Sequence, residues 1–428
     1  MSETLATAHN AHGKPILVIG GGIAGVTTAV EAAEAGCQVI LVEKAPHLGG
    51  RVARMHQYFP KLCPPSCGLE INFRRLRENP DVELLTLAEV EAITGAPGDY
   101  EATVRTAPRY VNDACTLCGA CAEACPAERP DEFNYGLSKT KAAYLPHALA
   151  YPQRYVIDRT ACPEGCEACK KACLYHAIDL NQAVERKTFR VAAVVAATGW
   201  APYDAAKLTN LGYGQCANVV TNVIFERMAA TDGPTNGRIL RPSDHKAPQR
   251  VAFVQCAGSR DENHLPYCSA VCCAASIKQA TYLRALDPQS HVTIFYIDIR
   301  TQGRLEEFYT SVAADANVKF VKGKVSKVEE EPGTQNLLVT VEEVLPGIKQ
   351  SQPFDLVVLA TGIVPQTSGL PKDFACDEFN FLSIPEQSKG LYAAGCVHRP
   401  EEVSSAVQDA TGAALQALQC VNRSSHHG

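Results

Sequence analysis

The sequence has no run long and apolar enough to cross a membrane. Its longest uncharged apolar stretch, Val191 to Tyr203, contains Gly and Pro and is shorter than the ~20 residues a membrane helix needs. The N-terminal stretch Met1 to Pro15 carries no apolar signal region, so secretion is not expected. No basic stripe stands out, and 40 Lys+Arg against 46 Asp+Glu leave a net charge of −6. A nucleic-acid partner is therefore not expected. Heptads and low-complexity tracts are missing. So is any Ser-His-Asp or paired-acid motif, which argues against hydrolysis. Charged residues at 20% and hydrophobic ones at 46% are ordinary for a globular chain and argue against disorder.

Cysteine is what the sequence has in excess, with 19 residues in 428. Disulfide-dense domains are usually small and secreted. This chain is long enough for two or three domains at roughly 150 residues each. Clustered thiols in a cytoplasmic, reduced setting point to metal or redox chemistry.

Pro15 to Ile19 is a short apolar run read as a buried parallel strand. Gly20, Gly21, Gly22 and Gly25 follow. Val26 to Ala35 then reads as a helix capped at Gly36, and Gln38 to Val42 as a second strand closing on Glu43. Strand, Gly-x-Gly-x-x-Gly turn, helix, strand and acid are the context a dinucleotide site requires. The helix N-terminus supplies amides to a diphosphate, and Glu43 would accept from a ribose 2′-hydroxyl. An ordinary glycine-rich turn is the competing reading. A second βαβ unit follows, with strands Val251 to Gln255 and His291 to Ile297 around a helix from Ala270 to Leu286. After Val254 it reads Gln-Cys-Ala-Gly-Ser-Arg, with no second Gly-rich turn. A nicotinamide nucleotide is therefore not expected there in the usual way.

Cys115, Cys118, Cys121 and Cys125, with Pro126 after them, form the bacterial ferredoxin run. Cys162, Cys166, Cys169 and Cys173 form a second run whose first gap is one residue wider. Cross-ligation assigns Cys115, Cys118, Cys121 and Cys173 to one 4Fe-4S cluster and Cys125, Cys162, Cys166 and Cys169 to another. A zinc ribbon is the rival, though it favours two CxxC pairs. Cys256, Cys268, Cys272 and Cys273 form a third, irregular set. Adjacent cysteines rarely share one metal, so buried structural thiols compete with a cluster there. Cys63 and Cys67 flank Pro64-Pro65-Ser66 and read either as redox thiols, as part of a cluster, or as buried residues.

The paired segments Val194 to Gly199 and Val357 to Gly362, and Gly390 to Cys396 with a helix from about Ser404 to Leu418, resemble the two-dinucleotide-fold flavoproteins of the thioredoxin-reductase-like group. The resemblance implies an α/β fold of that type with an inserted ferredoxin-type α+β module. It implies FAD held by Gly20, Gly22, Ile23, Ala24, Gly25, Glu43, Lys44, Gly50, Arg51, Thr198, Gly199, Thr361, Gly362, Gly395 and Cys396. Cys396 stands where that group usually has Asp, which alters one flavin contact. The expected organisation is a flexible leader (1–14), FAD-binding segments (15–108, 187–245 and 352–428), the ferredoxin insertion (109–186), and a degenerate nucleotide-binding-like domain carrying the third cysteine set (246–351).

Gln255 to Asp261 with Tyr267 to Cys273 resembles the flavin-bearing A-type chains of heterodisulfide reductase, in which this irregular set holds a 4Fe-4S cluster near the flavin. Gln57 to Asn72, Ala107 to Asn112, Phe133 to His147 and Ala197 to Asp204 are most similar to the A-type chains of the quinone-interacting membrane-bound oxidoreductase (Qmo) family. That resemblance implies, as partners, adenylyl-sulfate (APS) reductase, the quinone pool, a related flavin and iron–sulfur B subunit, plus a haem-bearing membrane C subunit. It implies a cytoplasmic chain held at the inner face of the membrane through those partners. Electrons would pass from flavin through the Cys256 set to the ferredoxin module. A heterodisulfide-reductase-like bifurcating or thiol-linked subunit is the alternative. A further alternative is a stand-alone NAD(P)H- or sulfide-linked reductase using Cys63 and Cys67, or a scaffold that only positions partners.

Overall fold

A computed structural model describes residues 13–59, 61–345, 347–371, 374–383 and 390–425. All but the last two residues of the leader expected over 1–14 lie outside these. The chain opens with β1 (Ile16–Ile19), α1 (Ile23–Glu34) and β2 (Val39–Glu43), followed by β3 (Val82–Thr86) and, far downstream, β4 (Ala193–Ala196). Ile16, Leu17 and Val18 are fully buried. That all-apolar reading suits a parallel strand covered on both faces.

The chain then builds a second sheet from β5 (Val219–Thr221), α2 (Asn222–Ala229), β6 (Arg250–Ala257), α3 (Cys272–Leu286), β7 (His291–Tyr296), β8 (Val318–Glu330), β9 (Leu337–Glu343), β10 (Ile348–Phe354) and β11 (Leu356–Thr361). It returns to the first sheet with β12 (Leu391–Ala393) and ends on α4 (Val403–Ser425). The first sheet has the parallel order β12-β4-β1-β2-β3, and the second the order β5-β11-β6-β7-β8-β9-β10. In the second sheet β8, β9 and β10 are antiparallel to one another. Helices α1 and α4 meet through small residues, Ala29 and Ala33 on one and Ala410, Ala413 and Ala417 on the other. They pack closely enough for Thr28 Oγ1 to donate to Ala410 O at 3.3 Å.

The Cys-rich insertion leaves from strand Asp99–Thr106 and returns on strand Glu185–Val191, which pair antiparallel with Thr106 opposite Glu185. Its two ends are thus side by side, an arrangement that tolerates an inserted unit. The unit has its own small core of Val111, Ala142, Ala143, Ile157, Ala177 and Ile178 around Cys121, Cys125 and Cys169.

The sheets depart from the expected segmentation in two places. Strand β11, expected in the last FAD-binding segment, lies in the second sheet between β5 and β6, with Val254 opposite Leu359. Strand β5 and helix α2, expected in the middle FAD-binding segment, also belong there. The reason is that the two Ala-Thr-Gly strands are locally alike. Which sheet each joins is set by long-range register, which local sequence does not carry. Among the described residues no helix is long and apolar enough to cross a membrane.

Candidate flavin and iron–sulfur site

The turn between β1 and α1 is built by contacts that only glycine permits. Gly20 sits at φ +109°, and a Cβ there would lie 2.4 Å from Ala197 O. Gly25 brings α1 down on the turn, since a Cβ on it would lie 1.7 Å from Gly20 O. Below the turn opens a cavity of about 840 Å³, within the usual range for cofactor sites. Glu43 faces it at the end of β2. Its Oε2 accepts from Gly21 N at 2.5 Å and its Oε1 from Ala45 N at 2.6 Å. Burial pushes this carboxyl upward, against those two amide hydrogen bonds. A helix N-terminus, a glycine turn and a fixed carboxyl group fit the diphosphate and ribose of a dinucleotide.

Gly20, Gly22, Ile23, Ala24, Glu43, Gly50, Arg51, Thr198, Gly199 and Cys396 all lie on the cavity wall. Other predicted residues sit elsewhere. Gly25 packs helix on turn. Lys44 is exposed and pairs with Glu89 at 2.8 Å. Gly395 supports the wall from behind, donating to Asp409 Oδ2 at 2.8 Å. Thr361 is buried, with Oγ1 donating to Asn222 Oδ1 at 2.9 Å. Gly362 packs against the loop of the third cysteine set, where a Cβ would lie 2.3 Å from Ser259 Oγ. The last two differ because β11 belongs to the second sheet. Cys396 donates to Glu401 O at 3.3 Å and burial pushes its thiol up to about 12, so it is a neutral wall residue.

The wall also carries groups that the sequence did not single out. Lys278 of α3 and Glu226 of α2 form a buried ion pair at 2.7 Å. The pair is fully provided for: Lys278 Nζ donates to Gln57 O, and Glu226 accepts from His56 N at 3.0 Å and Gln279 Nε2 at 2.9 Å. The available signal was a Lys-Gln step inside the apolar run Ala274 to Ala280. Tyr135 reaches the wall from the Cys-rich insertion, and Cys268 and Arg300 reach it from the third cysteine set. One cavity therefore runs from the glycine turn to a cysteine of that set.

Cys115, Cys118, Cys121 and Cys173 surround one small gap of about 20 Å³. Cys162 and Cys169 each have Cys125 and Cys166 as charge neighbours. The wider gap after Cys162 is taken up by Gly165 at φ +69°. In the third set Cys272 is buried and has Cys256, Cys273 and Cys268 as charge neighbours, and burial first, then those neighbours, push its thiol well up. Cys256 is likewise pushed up to about 11. Such thiols ionise together only with a cation to take their charge, as an iron cluster provides. Arg260 and Arg300 approach Cys256 and Cys268 and are tied together by Asp298. Cys272 and Cys273 stand at the N-terminus of α3, where a nucleotide-binding unit would hold its diphosphate. Among the described residues, no three His, Cys, Asp or Glu side chains converge as a single-ion site would require.

Cys63 and Cys67 do not line the cavity. Both are free, and Cys67 is exposed. They lie beside Tyr58, whose hydroxyl is raised by burial and then by their charge, and Tyr58 is on the wall. The buried reading therefore does not describe Cys67.

His47 lies on the cavity wall and packs edge to face on His147 at 4.8 Å, and His147 stacks on Phe133 at 4.4 Å. Burial pushes His47 down to about 4 and His147 to about 3. Both are neutral when folded at neutral pH, whereas the unfolded value is ~6.5. Their stabilising contribution is complete above that value and is lost as pH falls toward 4, by up to ~1.4 kcal/mol per pH unit for each ring. Denaturant titrations between pH 7 and 5 should show this loss. His147→Phe should lessen it by removing one titrating ring, and no hydrogen bond of His147 Nε2 is lost among the described residues. An unchanged slope would contradict the assignment.

Two family models match the chain: FAD dependent oxidoreductase over residues 15–60 and 4Fe-4S binding domain over residues 108–128. The iron-sulfur A-type chain of the CoB–CoM heterodisulfide reductase of Methanocaldococcus jannaschii is 39% identical over 419 residues, covering 94% of this chain and 63% of that one. The A-type chain of the H(2):CoB-CoM heterodisulfide,ferredoxin reductase of Methanothermobacter thermautotrophicus is 37% identical over 418 residues with the same coverage. The chain thus spans about 63% of the length of these relatives. Among solved structures, T. acidophilum thioredoxin reductase matches with a TM-score of 0.53 at 16% identity, over 95% of this chain and 98% of that one; this likeness shows the fold. The chain has the thioredoxin-reductase-like fold, carries segments that match the FAD dependent oxidoreductase and 4Fe-4S binding domain models, and is homologous over 94% of its length to the A-type chains of heterodisulfide reductase.

Proposed function

We propose that the chain is the flavin-bearing electron-transfer component of a complex of the heterodisulfide-reductase type, working with further subunits that supply and remove electrons. The observation that carries this reading is the single cavity joining the glycine turn to Cys268. FAD, when bound, supplies the step between two-electron and one-electron chemistry. The chain's own residues do the rest. Gly20, Gly22 and the start of α1 bind the diphosphate, and Glu43 takes the ribose. Lys278, held by Glu226, brings a cation to the cavity wall that Cys268 also lines. Arg260 and Arg300 offset thiolate charge around the third set, which tunes a cluster's potential. The two four-cysteine sets of the insertion extend the path toward the surface, where Cys118 is exposed.

A second reading is a Qmo-type link between the quinone pool and adenylyl-sulfate reductase, made through B and C subunits of which the latter bears haem. It rests on the long stretches around Gln57 to Asn72 and Phe133 to His147. It is favoured by one observation: both stretches reach the cavity, through Tyr58 and Tyr135. On the relatives, the heterodisulfide-reductase type is the better supported.

The reading is tested by the electron donor. The segment that joins β6 to α3 carries the third cysteine set rather than a glycine turn, so NADH should leave the flavin oxidised for minutes in an anaerobic stopped-flow experiment. Dithionite should bleach it at once. Rapid bleaching by NADH alone would overturn the reading in favour of a stand-alone reductase.

A further inference from the structure

Arg227 is an arginine with almost no exposed surface, its side chain 1% accessible. A buried guanidinium is costly unless its donors are met, and here they are met by three separate parts of the chain. Nε donates to Asn134 Oδ1 of the insertion at 2.9 Å. Nη1 reaches Arg54 O, beside the flavin cavity, at 3.5 Å and Asp232 Oδ1 at 3.1 Å. The guanidinium also lies 4.7 Å from the ring centre of Phe133. On the insertion side the contact is prepared, because Asn134 is fixed by Asp131 Oδ2 at 2.8 Å and Ser138 Oγ at 3.0 Å.

The neighbouring residue on α2, Glu226, is the partner of Lys278 in the cavity wall. One helical step thus sends one side chain to the cavity and the next to the insertion. Among the described residues the charge is ion-paired only with Asp232, which is half exposed, so Coulomb attraction alone does not explain why a cation is buried here. A planar fork that must meet acceptors in fixed directions does explain it.

We infer that Arg227 is a positioning residue that locks the 4Fe-4S module in one register against the flavin cavity, and that this register sets electron passage between them. The inference rests on the reading that FAD fills the cavity and clusters fill the module. The test uses the full, cofactor-loaded chain. Arg227→Met should keep iron and flavin content and their absorption spectra, yet lose amide-exchange protection across residues 131–147. Cluster reduction that follows flavin reduction should slow roughly tenfold or more, as expected for small misplacements of reacting centres. Arg227→Lys, which keeps charge but not the fork, should recover protection only in part. Should Arg227→Met fail to fold, Asn134→Ala removes the module's acceptor without removing the cation and should show the same decoupling. Wild-type protection together with a wild-type rate in either folded variant would overturn the inference. If the unaltered protein passed no electrons from flavin to clusters, the functional reading would fall, and the exchange measurement would decide the lock by itself.

Discussion

Gly25→Ala should yield a chain that retains iron but emerges from purification largely without flavin. The added Cβ would sit 1.7 Å from Gly20 O and 2.9 Å from Gly20 C, and 3.3 Å from Ala197 Cβ. Two of these neighbours are backbone atoms of the turn itself, so no side chain can swing aside. Either α1 lifts from the turn or the turn opens, and both move the amides that face the diphosphate. Overpacking of this kind costs roughly 1–3 kcal/mol where the structure relaxes, which is about a 5- to 150-fold loss of affinity. The insertion has a separate core, so its clusters should survive. Gly412→Ala is the control, because nothing lies within 4 Å of its Cβ position. Stoichiometric flavin in Gly25→Ala would mean that the cofactor does not sit on this turn.

Lys278→Met should destabilise the fold by about 3–5 kcal/mol, the usual consequence of leaving a buried carboxylate without its cation. The residue is 5% exposed and its partner Glu226 9%, so solvent cannot take over. Pairing the change with Glu226→Gln should recover most of the loss. The amide still accepts from His56 N and removes the uncompensated charge, so the coupling in a double-mutant cycle should be at least as large as the stability recovered. Additive effects in denaturant unfolding would show that the two side chains do not act as a pair.

What the sequence made legible was local. The Gly20 to Glu43 context and the two ferredoxin runs each lie within a short span, and their chemistry follows from spacing alone. The structure brings Gly20, Gly22 and Glu43 to one cavity and Cys115, Cys118, Cys121 and Cys173 around one small gap. Four things were not legible, and all but the orientation of Lys44 depend on distant segments meeting. The Val357 to Gly362 strand looks like the Val194 to Gly199 strand, but register puts it in the other sheet, so Thr361 and Gly362 support the cysteine loop rather than the cavity. Lys44 follows Glu43 in sequence, yet strand alternation turns it outward to Glu89. Lys278 and Glu226 become partners only when α3 packs on α2. Tyr135 and Arg227 tie the insertion to the flavin domain through contacts that no single segment foreshadows.

The central claim is that one chain carries a flavin and a third cluster at Cys256, Cys268, Cys272 and Cys273 on a shared cavity, beside two clusters in the insertion. Iron and flavin quantitation on anaerobically purified protein tests it most directly. Three 4Fe-4S clusters predict about twelve irons for each FAD. A value of about eight irons with full flavin would remove the cluster that joins the cavity to the module and contradict the account.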